Sequence, residues 1–164
     1  MDAETLRTIT IVCLLVLVSL WILSSFLIRV SGDWLRTDEP VDKERVTFTQ
    51  FGPYVQGQAI LDGGGKREYS GFLLGRTLRL SRRDYGVNAL ERQGFPREIA
   101  PLLEGKINAK IKFKVGASTL EGRFFPQKIS YTLQPPRITG VSILPSKKRV
   151  YARQNPASRA LPKA

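Results

Sequence analysis

The residues best suited to chemistry in this chain are cations that recur along two short segments. One segment carries three closely spaced arginines, and the other carries lysines at mostly alternate positions. The seven cations are Arg79, Arg82, Arg83, Lys106, Lys110, Lys112 and Lys114. Guanidinium and ammonium groups bind phosphates and carboxylates through charge-assisted hydrogen bonds. We therefore take these positions as candidate docking sites for an anionic partner or ligand, the alternative being a solvated outer face.

A glycine-rich loop is a second candidate for anion binding. It consists of Gly63, Gly64, Gly65 and Lys66. Backbone N–H groups in such a loop can surround a phosphate, and the lysine adds a positive charge. Phosphate loops normally lead into a helix, however, and here a strand-like segment follows at 67–69. We therefore favour a hairpin turn and keep phosphate binding as the alternative.

The sequence offers little for catalysis or metal binding. Histidine is absent, and Cys13, the one cysteine, lies in an apolar segment. The commonest general base and the commonest zinc ligands are therefore missing from the polar part of the chain. The carboxylates form no close pair along a strand, and no serine stands in a nucleophile-elbow pattern. We expect no enzyme, no cofactor and no metal site.

The lysines lie on a segment with a period of two. Between positions 106 and 115, apolar and polar residues alternate, which is typical of a half-buried β-strand. The apolar face comprises Ile107, Ala109, Ile111, Phe113 and Val115, and the polar face comprises Lys106, Asn108, Lys110, Lys112 and Lys114. The lysine side chains are therefore predicted to point outward.

Similar alternation predicts further strands at 46–48, 55–61, 76–83 and 129–133, with weaker candidates at 69–74, 119–125, 138–143 and 149–152. A short helical insertion is predicted at 86–104, with helices at 87–93 and 96–104 and a distortion at Pro101. The predicted soluble domain is therefore mainly β, a small antiparallel barrel or sandwich of about seven to eight strands. We favour the barrel.

Segments 69–80 and 120–131 share a faint similarity, in which Gly71 is matched with Gly122. The match suggests a duplicated β unit. Chance is the alternative explanation, because any two strands share the period of two.

An apolar segment near the N-terminus predicts a transmembrane helix. Residues 8–28 contain no charge, proline or glycine across 21 positions. As an α-helix this length is about 31 Å, which matches the hydrocarbon core of a bilayer. A cleaved signal peptide would have a shorter apolar core and a small-residue cleavage site. We predict an uncleaved signal-anchor, a single-pass helix at 8–30.

Flanking charges predict the orientation of this helix. Arg29, Arg36, Lys43 and Arg45 follow it, whereas Arg7 precedes it. Positive residues mark the cytoplasmic side. The N-terminus is therefore predicted outside and the soluble domain in the cytoplasm, with the opposite orientation as the alternative. Trp34 and Arg29 are predicted at the lipid headgroups.

The remaining segments complete the predicted organisation. A short tail occupies 1–7, a polar linker 31–44, the β-rich domain 45–145, and a basic, mostly disordered tail 146–164. The formal net charge is +12. A strongly basic domain near a bilayer is attracted to anionic lipids, and nucleic acid is the other common polyanion.

These observations favour a non-catalytic, membrane-anchored binding or assembly module within a membrane-associated complex. The expected partners are the lipid bilayer, one or more membrane proteins and anionic lipid headgroups. One alternative is a membrane-tethered sensor that binds an anionic small ligand, such as a nucleotide, near Arg79–Arg83. The other is a membrane-tethered nucleic-acid binder, which the scarcity of aromatic residues among the lysines disfavours.

Overall fold

A computed structural model describes residues 2–39, 44–61 and 64–154 of the chain. A long helix, α1 (Ala3–Leu27), precedes a β-rich domain. The described strands are β1 (Gly32–Arg36), β2 (Arg45–Phe51), β3 (Tyr54–Ile60), β4 (Lys66–Leu74), β5 (Thr77–Tyr85), β6 (Ile107–Val115), β7 (Thr119–Leu133), β8 (Pro136–Ile143) and β9 (Lys147–Arg153). Two short helices, α2 (Val87–Arg92) and α3 (Ala100–Leu103), lie between β5 and β6.

Eight of these strands close into an antiparallel barrel, which confirms the predicted fold class. The first seven strands follow one another around the barrel, and β9 pairs with both β7 and β1 to close it. The remaining strand, β8, pairs only with the second half of β7 and extends from the barrel as a hairpin. Closure leaves the eight barrel strands without a free edge.

The two ends of the barrel differ. At one end, which we call the helix end, α1 leads into β1, and the β2–β3, β4–β5 and β6–β7 turns lie beside it. The opposite end, which we call the far end, carries α2, α3 and the β7–β8 hairpin.

Apolar side chains fill the helix half of the barrel interior. An eight-stranded barrel is just wide enough for side chains to fill its interior. The largest fully buried side chains in this half belong to Val30, Trp34, Val46, Val55, Leu73, Leu78 and Leu120. Their burial supplies the main hydrophobic stabilisation of the fold.

A second apolar cluster lies at the far end. There the two short helices pack against the β7–β8 hairpin, through Val87, Leu90, Phe95, Ile99, Ala100, Leu103, Ile129, Tyr131 and Ile138. The observed helix α3 is shorter than the helix predicted at 96–104, since it covers only Ala100–Leu103. Pro101 lies in its first turn, where a missing N–H is tolerated, so it helps to start the helix and does not distort it.

Gly71 and Gly122 mark two places where neighbouring strands approach closely. A Cβ at Gly71 would lie 1.9 Å from the Arg79 carbonyl oxygen, and one at Gly122 would lie 2.0 Å from that of Lys112. The matched glycines therefore share a local role. The surrounding segments do not, since the first forms the β4–β5 hairpin and the second is one continuous strand. This difference argues against a duplicated unit.

The segment predicted to be a linker, 31–44, contains a strand of the barrel. Trp34 on β1 is fully buried and donates its indole N–H to the Val30 carbonyl at 2.7 Å. The indole therefore lies in the protein core and not at the lipid headgroups. The pattern was hard to recognise because β1 is only five residues long. Residues 40–43 lie outside the described residues.

The predicted C-terminal tail also contributes a strand. β9 closes the barrel, and Tyr151 from this strand is buried. Basic residues at 147–149 made the segment look solvated, yet Arg149 and Arg153 project into the barrel among partners described below. The rest of the predicted tail, 155–164, lies outside the described residues.

The helix α1 meets the length and apolarity needed to cross a membrane. The qualifying segment is Ala3–Leu20, and none of it is buried inside the protein. The helix begins five residues before the predicted start at position 8, at Ala3, and it ends at Leu27, before the predicted end at position 30. Val30, predicted within the membrane helix, is fully buried in the barrel core.

Candidate docking surface

Four cations lie side by side across the outer wall of the barrel. Arg79 on β5 is directly opposite Lys112 on β6, which is opposite Arg123 on β7. Arg123 is in turn opposite Lys148 on β9, and all four side chains are exposed. We call these four residues the cation row. Directly opposed residues have Cβ atoms about 4.5–5.5 Å apart, and like charges at this separation destabilise a sheet.

Only one member of the cation row has a carboxylate partner within the described part of the chain. Lys148 forms an ion pair with Glu121 at 2.5 Å. No ion pair to Arg79, Lys112 or Arg123 is formed there. Three neighbouring positive charges on the wall are therefore left uncompensated, which favours the approach of an anion.

An apolar groove of about 600 Å³ adjoins the cation row. The β7–β8 hairpin forms one side of it, and the outer wall of β3 to β6 forms the other. Its apolar side chains are Tyr54, Phe72, Phe125 and Ile143, and its cations are Arg79, Lys110 and Lys112. Phe72 and Ile143 are more than half exposed, and the Tyr54 and Phe72 rings lie 5.5 Å apart. The volume is within the range of about 300–1,000 Å³ typical of ligand sites.

The far half of the barrel interior holds a buried charge cluster, defined by Glu44, Arg67, Arg82, Asp84 and Arg149. Glu44 accepts hydrogen bonds from Arg67 at 2.6 Å and from Arg149 at 3.3 Å. Arg67 also donates two bonds to Asp84, at 2.9 and 3.1 Å. Arg67 therefore bridges both carboxylates of the cluster.

Tyrosine and phenylalanine side chains complete the surroundings of the buried charge cluster. The Tyr69 and Tyr151 hydroxyls donate to Glu44 at 2.6 and 2.8 Å. The guanidinium groups of Arg82 and Arg149 lie 5.0 and 4.1 Å from the centre of the Phe124 ring. Three arginines and two carboxylates leave one excess positive charge, which the Phe124 ring stabilises by cation–π attraction.

Interactions within the buried charge cluster shift the pKa values of its carboxyl groups and of the neighbouring Tyr69 hydroxyl. Burial raises the pKa of Glu44, but the Arg67 charge and hydrogen bonds from Tyr69, Arg67 and Tyr151 outweigh burial and lower this pKa to about 2. Burial likewise opposes the effect of Arg67 and Arg82 on Asp84, whose pKa is also lowered. Burial raises the pKa of Tyr69 well above its usual value, and the charge of Glu44 adds to this effect. Glu44 and Asp84 are therefore ionised at neutral pH and engaged with arginine.

The predicted lysines point outward as expected, but the alternation along the segment is interrupted at one position. Lys110, Lys112 and Lys114 project outward from β6, while Ala109, Ile111 and their alternating neighbours are buried. Lys106 is exposed just before this strand, at the far end.

The interruption is a register shift between β5 and β6. The shift lies between Arg82 and Arg83, so that Arg82 is opposite Ala109 while Arg83 is opposite Ile107. Asn108 was predicted to point outward with the lysines. Its side chain instead accepts a hydrogen bond from the buried Arg82 at 2.8 Å. The bulge therefore separates Lys106 from the other three lysines.

The three arginines predicted as anion ligands do not converge. Arg79 belongs to the cation row, and Arg83 is on the same outer face, where it donates to Ser70 at 3.0 Å. Arg82 projects into the barrel and takes part in the buried charge cluster. The expectation for Arg82 is therefore corrected: side chains alternate along a strand, so Arg82 cannot share a surface site with its neighbours.

The glycine-rich loop leads into strand β4, which favours the hairpin interpretation. The Leu61 N–H donates to the Gly65 carbonyl at 2.7 Å, and Gly64 has a φ of 81°. The Lys66 ammonium group lies 2.8 Å from Glu68. Gly63 lies outside the described residues. The lysine of this loop is thus already paired with a carboxylate.

Sequence reasoning missed several residues of the outer wall, chiefly Arg123, Lys148, Phe72 and Phe125. Arg123, Phe72 and Phe125 belong to segments whose period of two is visible in the sequence, but their proximity depends on the register between strands. For Arg123, the outward position in the alternation of 119–125 was the available signal. Lys148 was missed because the weak strand candidate at 149–152 begins after it, and residues 146–164 were predicted to be a mostly disordered tail.

No metal site accompanies the docking surface in the part of the chain that the structure describes, where no three His, Cys, Asp or Glu side chains are grouped to hold an ion. A barrel architecture by itself hosts many unrelated functions, so only the residues of the wall can indicate what this barrel does. Comparisons of the chain with protein-family models, with curated proteins and with solved structures found no match.

Proposed function

We propose that this protein is a non-catalytic, single-pass membrane protein whose β-barrel is a binding module of a membrane-associated complex. The observation that carries the proposal is the cation row beside the apolar groove. Three uncompensated cations adjoin an apolar surface large enough for a ligand or a peptide segment. Such a surface suits an acidic, amphipathic segment of a partner protein.

The anchor in this proposal is α1. Its length and apolarity fit a bilayer crossing, and Ala3–Leu20 has no buried residue that would mark it as a core helix. Arg29 and Arg45 follow the helix, whereas Arg7 precedes the apolar stretch. By the positive-inside rule, the barrel lies on the cytoplasmic side.

The non-catalytic part of the proposal is supported by the state of the buried carboxylates. Glu44 and Asp84 are held ionised by arginine and are shielded inside the barrel. A general acid or base needs a proton that it can exchange near neutral pH and access to a substrate. The cluster therefore serves as an internal scaffold, and the outer wall is left for binding.

A photo-crosslinking experiment tests the proposed function. A photoreactive amino acid replaces Phe72, inside the groove, in the full-length chain expressed in its native membrane. We expect a discrete crosslinked partner that disappears when Arg79, Lys112 and Arg123 are all changed to Glu. The proposal predicts that both the groove and the charges are needed.

The matched control reverses three exposed cations away from the groove, Arg97, Lys128 and Arg137, each to Glu. This control makes the same change in formal charge, so general electrostatic effects are equal in the two variants. We expect the control to retain the crosslink. Equal loss or equal retention in both triple variants contradicts the proposal.

A second candidate function is binding of single-stranded nucleic acid. The Tyr54–Phe72 pair lies beside Arg79, since Phe72 is directly opposite Arg79 in the sheet. Aromatic rings beside cations can stack bases while the cations bind phosphates. The expected signature is an affinity for single-stranded RNA or DNA that falls steeply with salt and is reduced by Phe72→Ala. Weak binding that is unchanged by Phe72→Ala contradicts this candidate.

A further inference from the structure

The connection between α1 and the barrel is held by hydrogen bonds to its backbone. Gln50 donates to the Ile28 carbonyl at 3.0 Å and accepts from the Val30 N–H at 2.8 Å. Trp34 and Arg153 donate to the carbonyls of Val30 and Arg29, respectively. Because three successive residues are bound by barrel side chains, the barrel is attached to the helix without a flexible linker.

Phe51 is an exposed aromatic residue beside this connection. It is the last residue of β2, adjacent to Gln50, and its side chain is 86% exposed. Ile60 is a comparable exposed apolar residue at the other end of the barrel. It is the last residue of β3 and is 90% exposed. Leaving a phenylalanine in water is unfavourable relative to burying it in an apolar environment. Phe51 is thus a large apolar group placed where α1 joins the barrel.

Polar groups suited to a phosphate line a small cavity that includes both chain neighbours of Phe51. A cavity of about 300 Å³ is lined by Arg29, Ser31, Gln50 and Gly52. Arg29 is exposed, and Arg76 is exposed on the neighbouring β4–β5 turn. Phenylalanine together with basic residues is typical of segments that bind at the boundary between a bilayer and water.

We propose that the helix end of the barrel is seated on an anionic lipid surface. Phe51 inserts at the boundary between headgroups and acyl chains, and Arg29 and Arg76 bind lipid phosphates. This inference rests on the proposed membrane anchoring of α1. It deepens that proposal, because it makes the barrel a surface-bound body with a fixed orientation.

Continuity with α1 identifies the bilayer as the occupant of this surface. The residues between α1 and β1 are 28–31. Even fully extended, four residues span at most about 14 Å. When α1 crosses a bilayer, the helix end of the barrel must therefore lie at the bilayer surface, and Phe51 and Arg29 are the groups that it presents there.

Site-specific fluorescence in reconstituted vesicles tests the inference. The full-length chain carries a single cysteine, labelled with an environment-sensitive nitrobenzoxadiazole group, at position 51 or 60 in a Cys13→Ser background. A third sample is labelled at the native Cys13, within α1. Vesicles consist of phosphatidylcholine alone or of phosphatidylcholine mixed with phosphatidylserine, and aqueous iodide is the quencher.

We expect the label at position 51 to be protected from iodide, more strongly with phosphatidylserine, and the label at position 60 to stay accessible. Equal accessibility at positions 51 and 60, with Cys13 protected, overturns the seating of the barrel and leaves the anchor intact. Accessibility at all three positions overturns both the seating and the anchoring.

Charge removal provides the second measurement. Arg76→Gln should lower the phosphatidylserine-dependent protection at position 51 about fivefold, the effect of roughly one cation near an anionic surface. Arg137→Gln, on the β7–β8 hairpin, is the control and should leave the protection unchanged. An equal effect of the two substitutions would contradict the assignment of Arg76 to the lipid surface.

Discussion

The buried charge cluster and the cation row use the same kinds of residue in opposite ways. Inside the barrel, Arg67 donates hydrogen bonds to both Glu44 and Asp84. On the outer wall, Arg79, Lys112 and Arg123 stand directly opposite one another across adjacent strands. Hydrogen bonds from arginine to carboxylates therefore hold the interior together, whereas repulsion between opposed cations destabilises the outer wall.

This difference separates the buried scaffold from the proposed binding surface. A buried charge without its partner is strongly unfavourable, so every member of the buried charge cluster is tied to the fold. An exposed like-charge contact changes the folding free energy by less than about 1 kcal/mol. Substitutions in the cation row should therefore change the folding free energy little, and under the proposed function they should change binding strongly.

The largest effect is expected from Glu44→Gln. The amide keeps the shape of the carboxylate but removes the negative charge that faces Arg67 and Arg149. Breaking a buried ion pair typically costs about 3–5 kcal/mol of the free energy of unfolding. Urea unfolding of the full-length protein in detergent measures this loss. Glu121→Gln, at an exposed ion pair, is the control and should cost less than about 1 kcal/mol.

Acid should remove most of the same contribution. The folded pKa of Glu44, about 2, lies below its usual value of 4.5. A depressed pKa stabilises the folded state above pH 4.5, and this contribution is lost as the pH falls from 4.5 towards 2. Its size is on the order of 3 kcal/mol. Stability should therefore fall over this range in the wild type and less steeply in Glu44→Gln. Parallel curves would argue against ionisation of Glu44 as the cause.

Gly122→Ala is expected to have an intermediate effect. The added Cβ would lie 2.0 Å from the Lys112 carbonyl oxygen, so β6 and β7 would have to move apart. Overpacking of this kind costs about 1–3 kcal/mol. The same close approach brings Arg123 beside Lys112, so under the proposed function the substitution should also weaken binding at the outer wall.

The control for this prediction is Gly140→Ala on β8, where a Cβ has no neighbour within 4 Å. We expect a change in the free energy of unfolding within about 0.5 kcal/mol. Similar losses for both glycines would indicate a general cost of removing glycine from a strand, not a close approach at Gly122.

Local patterns predicted most of the strands, though not β1, and they predicted the helical insertion and the apolar N-terminal helix, because each of these depends on the period of neighbouring residues. Alternation also predicted the outward lysines on β6. Register between strands is not encoded in the period. Neither the position of Arg123 beside Lys112 nor the turn of Asn108 towards Arg82 was therefore visible in the sequence.

The charged residues of the sequence were the most misleading guide to which segments belong to the barrel. Glu44 was assigned to a polar linker and Arg149 to a disordered tail, yet both belong to the buried charge cluster. Polar residues are usually exposed. In this barrel Glu44 and Arg149 form an ion pair although they are more than one hundred residues apart in the sequence. The neutralisation of their charges therefore depends on tertiary structure, which no local sequence pattern indicates.

The smallest effect, and the only gain in stability, is expected from Lys112→Thr. The substitution removes the cation that lies between Arg79 and Arg123. It also introduces threonine, a residue with a high propensity for β-strands. Relief of repulsion should raise the free energy of unfolding by roughly 0.2–1 kcal/mol. Because salt screens exposed charges, the gain should shrink as the ionic strength rises. Lys128→Thr is the control, since Lys128 is directly opposite Ser142 and not another cation. If Lys112→Thr were neutral or destabilising at low salt, the cation row would carry no repulsion, and the contrast with the buried charge cluster would fail.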